Sequence, residues 1–409
     1  MRYLVADSPA EHFLPYGRQT IGSDDIESVL SVLRSDYLTT GPTNQLFEET
    51  LASRVNAQHA VVCSSGTAAL HLAALALDLG PGDSVIVPTL TFLATANAAR
   101  FVGAEVIFAD VDPHTGLMGP EELLDAIRKC SGTPRAVFPV HLNGQSVDME
   151  RIATIASTHG LYVVEDACHA LGTRYLTSDS GEEPVGSCAY SDLTIFSFHP
   201  LKAVAMGEGG AITTNREGLA SRLKKLRNHG MSRDPEDFVN RSLGFSEDGR
   251  PNPWYYEMQE LAYNYRASDI HCALGLSQLN KLDHLISRRR SLSAGYSEQL
   301  RDITPDLTLL PSVQWSDSAW HLHVVHIDFK RVGLSRARLI RTLRDAGIGS
   351  QVHYLPVHLQ PYYVDRYGSQ VLPGGEAYYQ TCLSLPLYPA MTQADVCRVT
   401  KMLLETLKS

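Results

Sequence analysis

The sequence predicts an α/β fold, a mostly parallel sheet with helices on both faces, followed by a smaller α+β lobe. Three observations carry this. Short runs rich in β-branched and aromatic residues recur between residues 60 and 214. Helical patterns separate many of them, as crossover connections between parallel strands require. The most chemically pointed side chains sit at the C-terminal ends of these runs, where ligands of such sheets collect.

Residues 1–24 hold little periodic signal and read as an N-terminal arm, extended at Pro15-Tyr16-Gly17-Arg18. Asp24 or Asp25 can cap a helix reaching about Arg34, with Ile26, Val29, Leu30 and Leu33 on one face. A second amphipathic helix is expected over 44–55, with Phe47, Leu51 and Val55 inward. Strands are expected at 60–63, 84–88, 105–111, 136–141, 161–166, 193–198 and 211–214, with helices such as 67–77 and 146–159 between them. A basic helix lies within 216–235. The stretch 233–253, rich in Pro, Gly, Asp and Asn, reads as a loop long enough for a functional insertion. A helical segment over 267–287 leads to the second lobe, with strand-like runs at 321–329 and 353–356 and helices at 335–346 and 393–407. The expected division is an arm (1–24), a large domain (25–265), and a linking helix with a small C-terminal domain (266–409).

Hydrophobic residues make up 44% of the 409 and charged residues 20%, ordinary for a soluble globular enzyme. A net charge of -10 argues against a general nucleic-acid binder but not against a phosphorylated substrate. Seven scattered cysteines without a CxxC pair point to reduced thiols, a cytoplasmic location and no zinc. The N-terminus lacks a signal-peptide profile, and the longest apolar stretch, 68–77, is too short for a membrane span.

The chemistry gathers around Lys202. It lies on the connection between two core strands, where an ammonium must snorkel, pair or lose its charge. An amine with a depressed pKa condenses with aldehydes; the plain alternative is a lysine covering a hairpin end. Ser64-Ser65-Gly66-Thr67 follows a strand and opens a helix, so it forms either an anion cradle or a simple cap. Asp166, at a strand end, either caps a helix after the strand or keeps a pyridine nitrogen protonated. His169 either orients that carboxylate or is a satisfied core imidazole. Phe92 ends another strand and is either core or a plate for a planar cofactor. Ser197 either reaches a phosphate or bonds its own strand. Together these groups are what pyridoxal phosphate needs.

The segments SSGTAALHLAALAL (64–77), VVEDACHALG (163–172), FSFHPLK (196–202) with GEGGAITTN (207–215), and LAYNYRASDIHCALGLSQLNKLD (261–283) resemble the DegT/DnrJ/EryC1/StrS family of nucleotide-sugar aminotransferases. The resemblance covers nearly the whole chain. It implies the fold type I architecture of pyridoxal-phosphate enzymes and a homodimer with shared active sites. By position it makes Lys202 the lysine bonded to the cofactor aldehyde, Asp166 the partner of the ring nitrogen, Phe92 the stacked ring and His169 a neighbour of that ring. Gly66, Thr67 and Ser197 would hold the phosphate, with Asn264 reaching it from the neighbouring subunit. Tyr16, Arg18, Arg233, Arg266, His353 and Tyr354 are candidates for substrate contact.

Further segments, FLPYGRQ (13–19), SDYLTTGP (35–42), WYYEMQEL (254–261) and VHY (352–354), are similar to family members of pseudaminic acid biosynthesis. These aminate C4 of a UDP-linked 4-keto-6-deoxy-N-acetylhexosamine. Glutamate is the implied donor, 2-oxoglutarate its product, and pyridoxamine phosphate the intermediate cofactor form. Enzymes acting on aminoarabinose, perosamine or bacillosamine precursors look similar. Two departures, Leu142 after His141 and the apolar run Ala203-Val204-Ala205-Met206, are expected to line the sugar pocket. Relatives that dehydrate sugars at C3 replace the lysine with histidine, so Lys202 argues for transamination. A non-enzymatic regulator would not need the full set.

Overall fold

The computed structural model describes residues 13–130, 132–178, 180–301 and 303–408. Strands β1 (His59–Cys63), β2 (Ser84–Pro88), β3 (Glu105–Ala109), β4 (Ala136–Val137), β5 (Tyr162–Asp166), β6 (Leu193–Ser197) and β7 (Gly210–Thr214) form one sheet in the order β1-β7-β6-β5-β4-β2-β3. β7 alone runs against the others; it pairs antiparallel with β1 and β6. The remaining pairs are parallel. Both faces are covered by apolar clusters, one around Phe47, Ile86 and Phe196 and the other around Val61, Leu72 and Val164. That is why these strands read as continuous apolar runs rather than alternating ones.

Helices α1 (Ser23–Leu33), α2 (Pro42–Arg54), α3 (Gly66–Ala76), α4 (Leu93–Phe101), α5 (Pro120–Lys129), α6 (Met149–His159) and α7 (Glu217–Leu226) precede or flank the strands. Phe47, Leu51 and Val55 are buried, as the periodicity of α2 predicts. The fourth strand is shorter than expected. Pro139 has no N–H for the ladder, and beyond Val137 only a single bridge, Val140 to Asp166, continues the pairing.

In α1 the apolar stripe faces outward. Ile26 is 53% and Leu33 50% exposed, while Asp25 is fully buried. Asp25 caps the Gly22 N–H and accepts from Ser277, Gln278 and Lys281, so a polar contact fixes which face of α1 meets the body.

The helical segment expected over 267–287 is two helices, α8 (Asp269–Asn280) and α9 (Leu282–Leu300), meeting at Lys281. The 233–253 stretch is structured. A two-residue-per-strand hairpin, β8 (Met231–Ser232) with β9 (Glu257–Met258), closes it, and Phe238 packs edge-on to Phe245 and Tyr255 within. Strands β10 (Leu307–Leu309), β11 (His323–Ile327) and β12 (Cys382–Leu385) form an antiparallel sheet in that order. With helices α10 (Arg336–Asp345) and α11 (Pro373–Thr381) before it, α12 (Gln393–Leu407) completes the chain's secondary structure. A separate apolar cluster including Tyr296, Val325, Leu339, Leu383 and Val399 fills this lobe. Residues 353–356 form no strand; Gln351 makes one bridge to Ser384 just before them. Among the described residues no helix is long and apolar enough to cross a membrane and no acidic, Cys or His cluster could hold a metal. All seven cysteines are free.

Candidate active site

The C-terminal ends of β1, β5 and β6, the starts of α3 and α4, and the segment 351–354 of the small lobe enclose a cavity of about 490 Å³. Lys202, Asp166, His169, Gly66, Thr67, Phe92, Ser197, Tyr16, His353 and Tyr354 all line it.

At the end of β1 the chain turns through Ser65, whose hydroxyl caps α3 by accepting from the Ala68 N–H at 3.1 Å. The amides of Gly66 and Thr67 lie in the first turn, which has no intrahelical acceptors, at the positive end of the helix dipole. Gly66 is required by close approach: a Cβ there would stand 2.9 Å from the Ser197 Cβ. Gly66, Thr67 and Ser197 all line the cavity at this helix end, a setting that favours an anion.

Lys202 is placed by the β6–β7 connection. Its own N–H donates to His199 O at 2.8 Å, and the Phe198 and Met206 amides close the loop on Gly209 O and Phe198 O. Gly210, where β7 begins, locks this loop to the first: a Cβ there would meet Ser65 O at 2.3 Å. Among the described residues no group hydrogen-bonds or ion-pairs with the Lys202 amine. Burial pushes its pKa below the usual lysine value, against the pull of Cys168 and Asp166.

Asp166 is the last residue of β5. Its Oδ1 accepts from the Cys168 N–H at 3.1 Å and its Oδ2 from the Thr95 hydroxyl at 2.7 Å. Turns, not a helix, come after it, so helix capping does not explain this carboxylate. Phe92 is the N-cap residue of α4; it is 57% exposed, lines the cavity, and its ring lies 6.1 Å from the Tyr354 ring. The Tyr354 hydroxyl lies 3.1 Å from His169 Nε2. His169 Nδ1 is buried with no partner among the described residues, and the His321 ring stands 4.3 Å away. Burial, reinforced by the Lys202 charge, drives the His169 pKa well below the usual imidazole value, so the ring is neutral. Burial likewise brings His353 down to about 3; its Nδ1 bonds Ser384 Oγ at 2.8 Å, and its ring lies 5.5 Å from Tyr16.

Other candidates lie elsewhere. Arg18 and Arg233 are exposed and outside the cavity lining, Arg233 beside Lys224 and Lys225 in a separate groove. Arg266 donates to Asn228 Oδ1 at 2.6 Å. Asn264 is exposed and its backbone bridges Asn228. Leu142 and the run Val204 to Met206 are core residues, not cavity lining; packing explains their apolar character and corrects the expectation that they meet the sugar. Thr95, His321 and Arg289 join the site without a signal in the sequence. The buried Arg289 guanidinium donates to His321 O and Leu387 O, bracing the segment that carries His321. Its helix pattern gives no sign of this.

A planar phosphorylated aldehyde fits these groups: an anion cradle kept open by Gly66, a flat aromatic, a fixed carboxylate, an unpartnered imidazole nitrogen and an unpaired amine. Residues 19–404 match the DegT/DnrJ/EryC1/StrS aminotransferase family. The chain is 41% identical over 403 residues to the spore coat polysaccharide biosynthesis protein SpsC of Bacillus subtilis (strain 168), covering 97% of this chain and 98% of that one. It is similar to Helicobacter pylori PseC, an aminotransferase involved in pseudoaminic acid biosynthesis, with TM-score 0.87 and 27% identity over 97% of this chain and 99% of that one. Streptococcus pneumoniae Spr1654, solved in PLP and PMP forms, matches with TM-score 0.84 and 25 to 26% identity over 97% of this chain and 98 to 99% of that one. This chain therefore belongs to the DegT/DnrJ/EryC1/StrS family and is a pyridoxal-phosphate-dependent sugar aminotransferase.

Proposed function

We propose that the enzyme transfers an amino group from glutamate to C4 of a UDP-linked 4-keto-6-deoxy-N-acetylhexosamine, the amination used in pseudaminic acid biosynthesis. The observation that carries the reading is the unpaired Lys202 amine in the same cavity as the Asp166 carboxylate and the start of α3. Pyridoxal phosphate, when bound, would supply a carbonyl that accepts amines and a ring that acts as an electron sink.

The chain's own residues do the rest. Lys202 would be the residue that holds the cofactor aldehyde, and its amine, whose pKa burial lowers, would serve as the proton carrier at the reacting carbon. Asp166 would keep the cofactor's ring nitrogen protonated. Phe92 and His169 would hold the cofactor ring, while Gly66, Thr67 and Ser197 would hold its phosphate. Tyr16, His353 and Tyr354 face the sugar.

Lys202 is the one lysine in the lining, which among the described residues holds no arginine. The nucleotide diphosphate and the donor carboxylates need further cations, which supports a homodimer in which Asn264, Arg18, Arg233 and Arg266 serve shared sites. The exposed apolar stripe of α1 supports the same assembly. Seven free thiols support a cytoplasmic location. The separate apolar cluster running mainly from Leu292 to Leu403 supports a distinct C-terminal lobe, while Ala267, Cys272, Leu279, Leu282 and Ile286 of the linking segment pack into the cluster of the large domain.

The likeness to SpsC favours a second reading, the same amination on a sugar destined for a surface polysaccharide. Incubation with UDP-, dTDP- and GDP-linked keto-sugars plus glutamate, read by mass and NMR, tests the proposal. The expected result is a UDP-sugar aminated at C4; amination at C3, or turnover confined to dTDP- or GDP-sugars, would overturn it.

A further inference from the structure

The Asp166 carboxylate is fixed by a group to which the proposed mechanism gives no role. Thr95 Oγ1 lies 2.7 Å from Asp166 Oδ2 and also 2.7 Å from Thr91 Oγ1. An ionised carboxylate only accepts, so the single Thr95 hydroxyl proton goes to Asp166 and Thr91 must donate to Thr95. All three side chains are shielded from water, Thr91 at 2%, Thr95 at 0% and Asp166 at 5% exposed. A threonine in a helix ordinarily turns its hydroxyl to a carbonyl one turn back. Here that carbonyl, Phe92 O at 3.3 Å, is the longer contact. Because Phe92 and Thr95 share the first turn of α4, one turn places both the flat ring and the donor to the carboxylate.

We infer that Thr95, backed by Thr91, is a positioning residue of the transamination: its hydroxyl fixes the rotation of the Asp166 carboxylate that faces the pyridine nitrogen. The inference rests on the role proposed for Asp166. A carboxylate end rotates through broad wells unless something pins it, and the Cys168 amide alone grips only one oxygen. Thr95 grips the other. Charge-assisted bonds of this kind are the strong ones.

The test compares Thr95→Val, which keeps the shape and removes the hydroxyl, with Thr95→Ser, which keeps the hydroxyl, using Asp166→Asn as reference. Each holoenzyme carries pyridoxal phosphate labelled with nitrogen-15 in the ring, and the NMR shift reports protonation of that nitrogen. Thr95→Val is expected to move the signal toward the unprotonated position and to lower kcat by roughly 10- to 100-fold. Thr95→Ser is expected to restore both. If Thr95→Val keeps the wild-type signal while Asp166→Asn moves it, the Thr95 assignment is overturned and the Asp166 role stands. If neither moves it, both fall. Should Thr95→Val not fold, Thr91→Val provides the same reading one hydroxyl further out: a smaller shift in the same direction supports the chain of hydroxyls, and none overturns it.

Discussion

At the Lys202 amine two demands conflict. Burial without a partner disfavours the ammonium, while the chemistry needs an amine that gains and loses a proton readily. The sign of the shift resolves them, since a lowered pKa raises the share of the free base at any given pH. The cost falls on the cofactor-free protein. Lys202→Met is therefore expected to abolish turnover yet raise apo-protein stability by about 1 kcal/mol or more, read as a higher Tm. A lower Tm would mean that the amine has a stabilising partner. The neutral His169, His321 and His353 around it obey the same logic: each pKa is lowered first by burial, with the Lys202 charge adding to it.

At the scale of elements, the site exists because loops after strands are held at fixed separations. The α3 turn and the β6–β7 connection touch through Gly66 against Ser197 and Gly210 against Ser65 O. Gly66→Ala is expected to weaken cofactor affinity at least tenfold and to cost about 1 to 3 kcal/mol of stability, because overpacking forces the Ser197 side chain aside. Equilibrium titration of the apo-protein with pyridoxal phosphate checks it; an unchanged affinity would contradict the cradle. For α1, the paired substitutions Ile26→Asp and Leu33→Asp are expected to leave the chain folded, since both side chains are exposed, but to break the proposed dimer, read as a fall to monomer mass in light scattering. A dimer that persists would place the interface elsewhere.

Strands and motif loops were legible in the sequence for a physical reason. Strands β1, β6 and β7 are buried on both faces, so their residues are mostly apolar or β-branched, and the turns that carry Gly66 and Lys202 are short and local. Features that local pattern could not reveal depend on distant partners. The outward stripe of α1 comes from Asp25 meeting Ser277, Gln278 and Lys281 some 250 residues on. Thr95 meets Asp166 across 71 residues, and His321 meets His169 across two lobes. Leu142 and Val204 sit at motif positions that suggest a pocket, and packing alone shows them as core.

For the whole molecule, buried imidazoles tie stability to pH. His323 and His353 are both lowered from 6.5 to about 3 by burial. In the unfolded chain they bind protons near pH 6.5, while in the folded chain they refuse them until about pH 3. Acidification through this window therefore favours unfolding, by about 2 kcal/mol per histidine at pH 5. Glu105, drawn down from 4.5 to about 2 first by Arg366, loses its stabilisation in a lower window, as pH falls from about 4.5 toward its folded value. The predicted Tm therefore declines from pH 6.5 downward. His323→Phe, which retains the stacking on Tyr296, should flatten the decline. An equal slope in that variant would contradict the assignment.

The proposed chemistry depends on one amine, that of Lys202, holding the cofactor. Borohydride reduction of the holoenzyme, proteolysis and mass spectrometry test this without intermediaries. A single pyridoxyl-labelled peptide with the tag on Lys202 is expected; a tag on any other lysine, or none, would contradict the assignment.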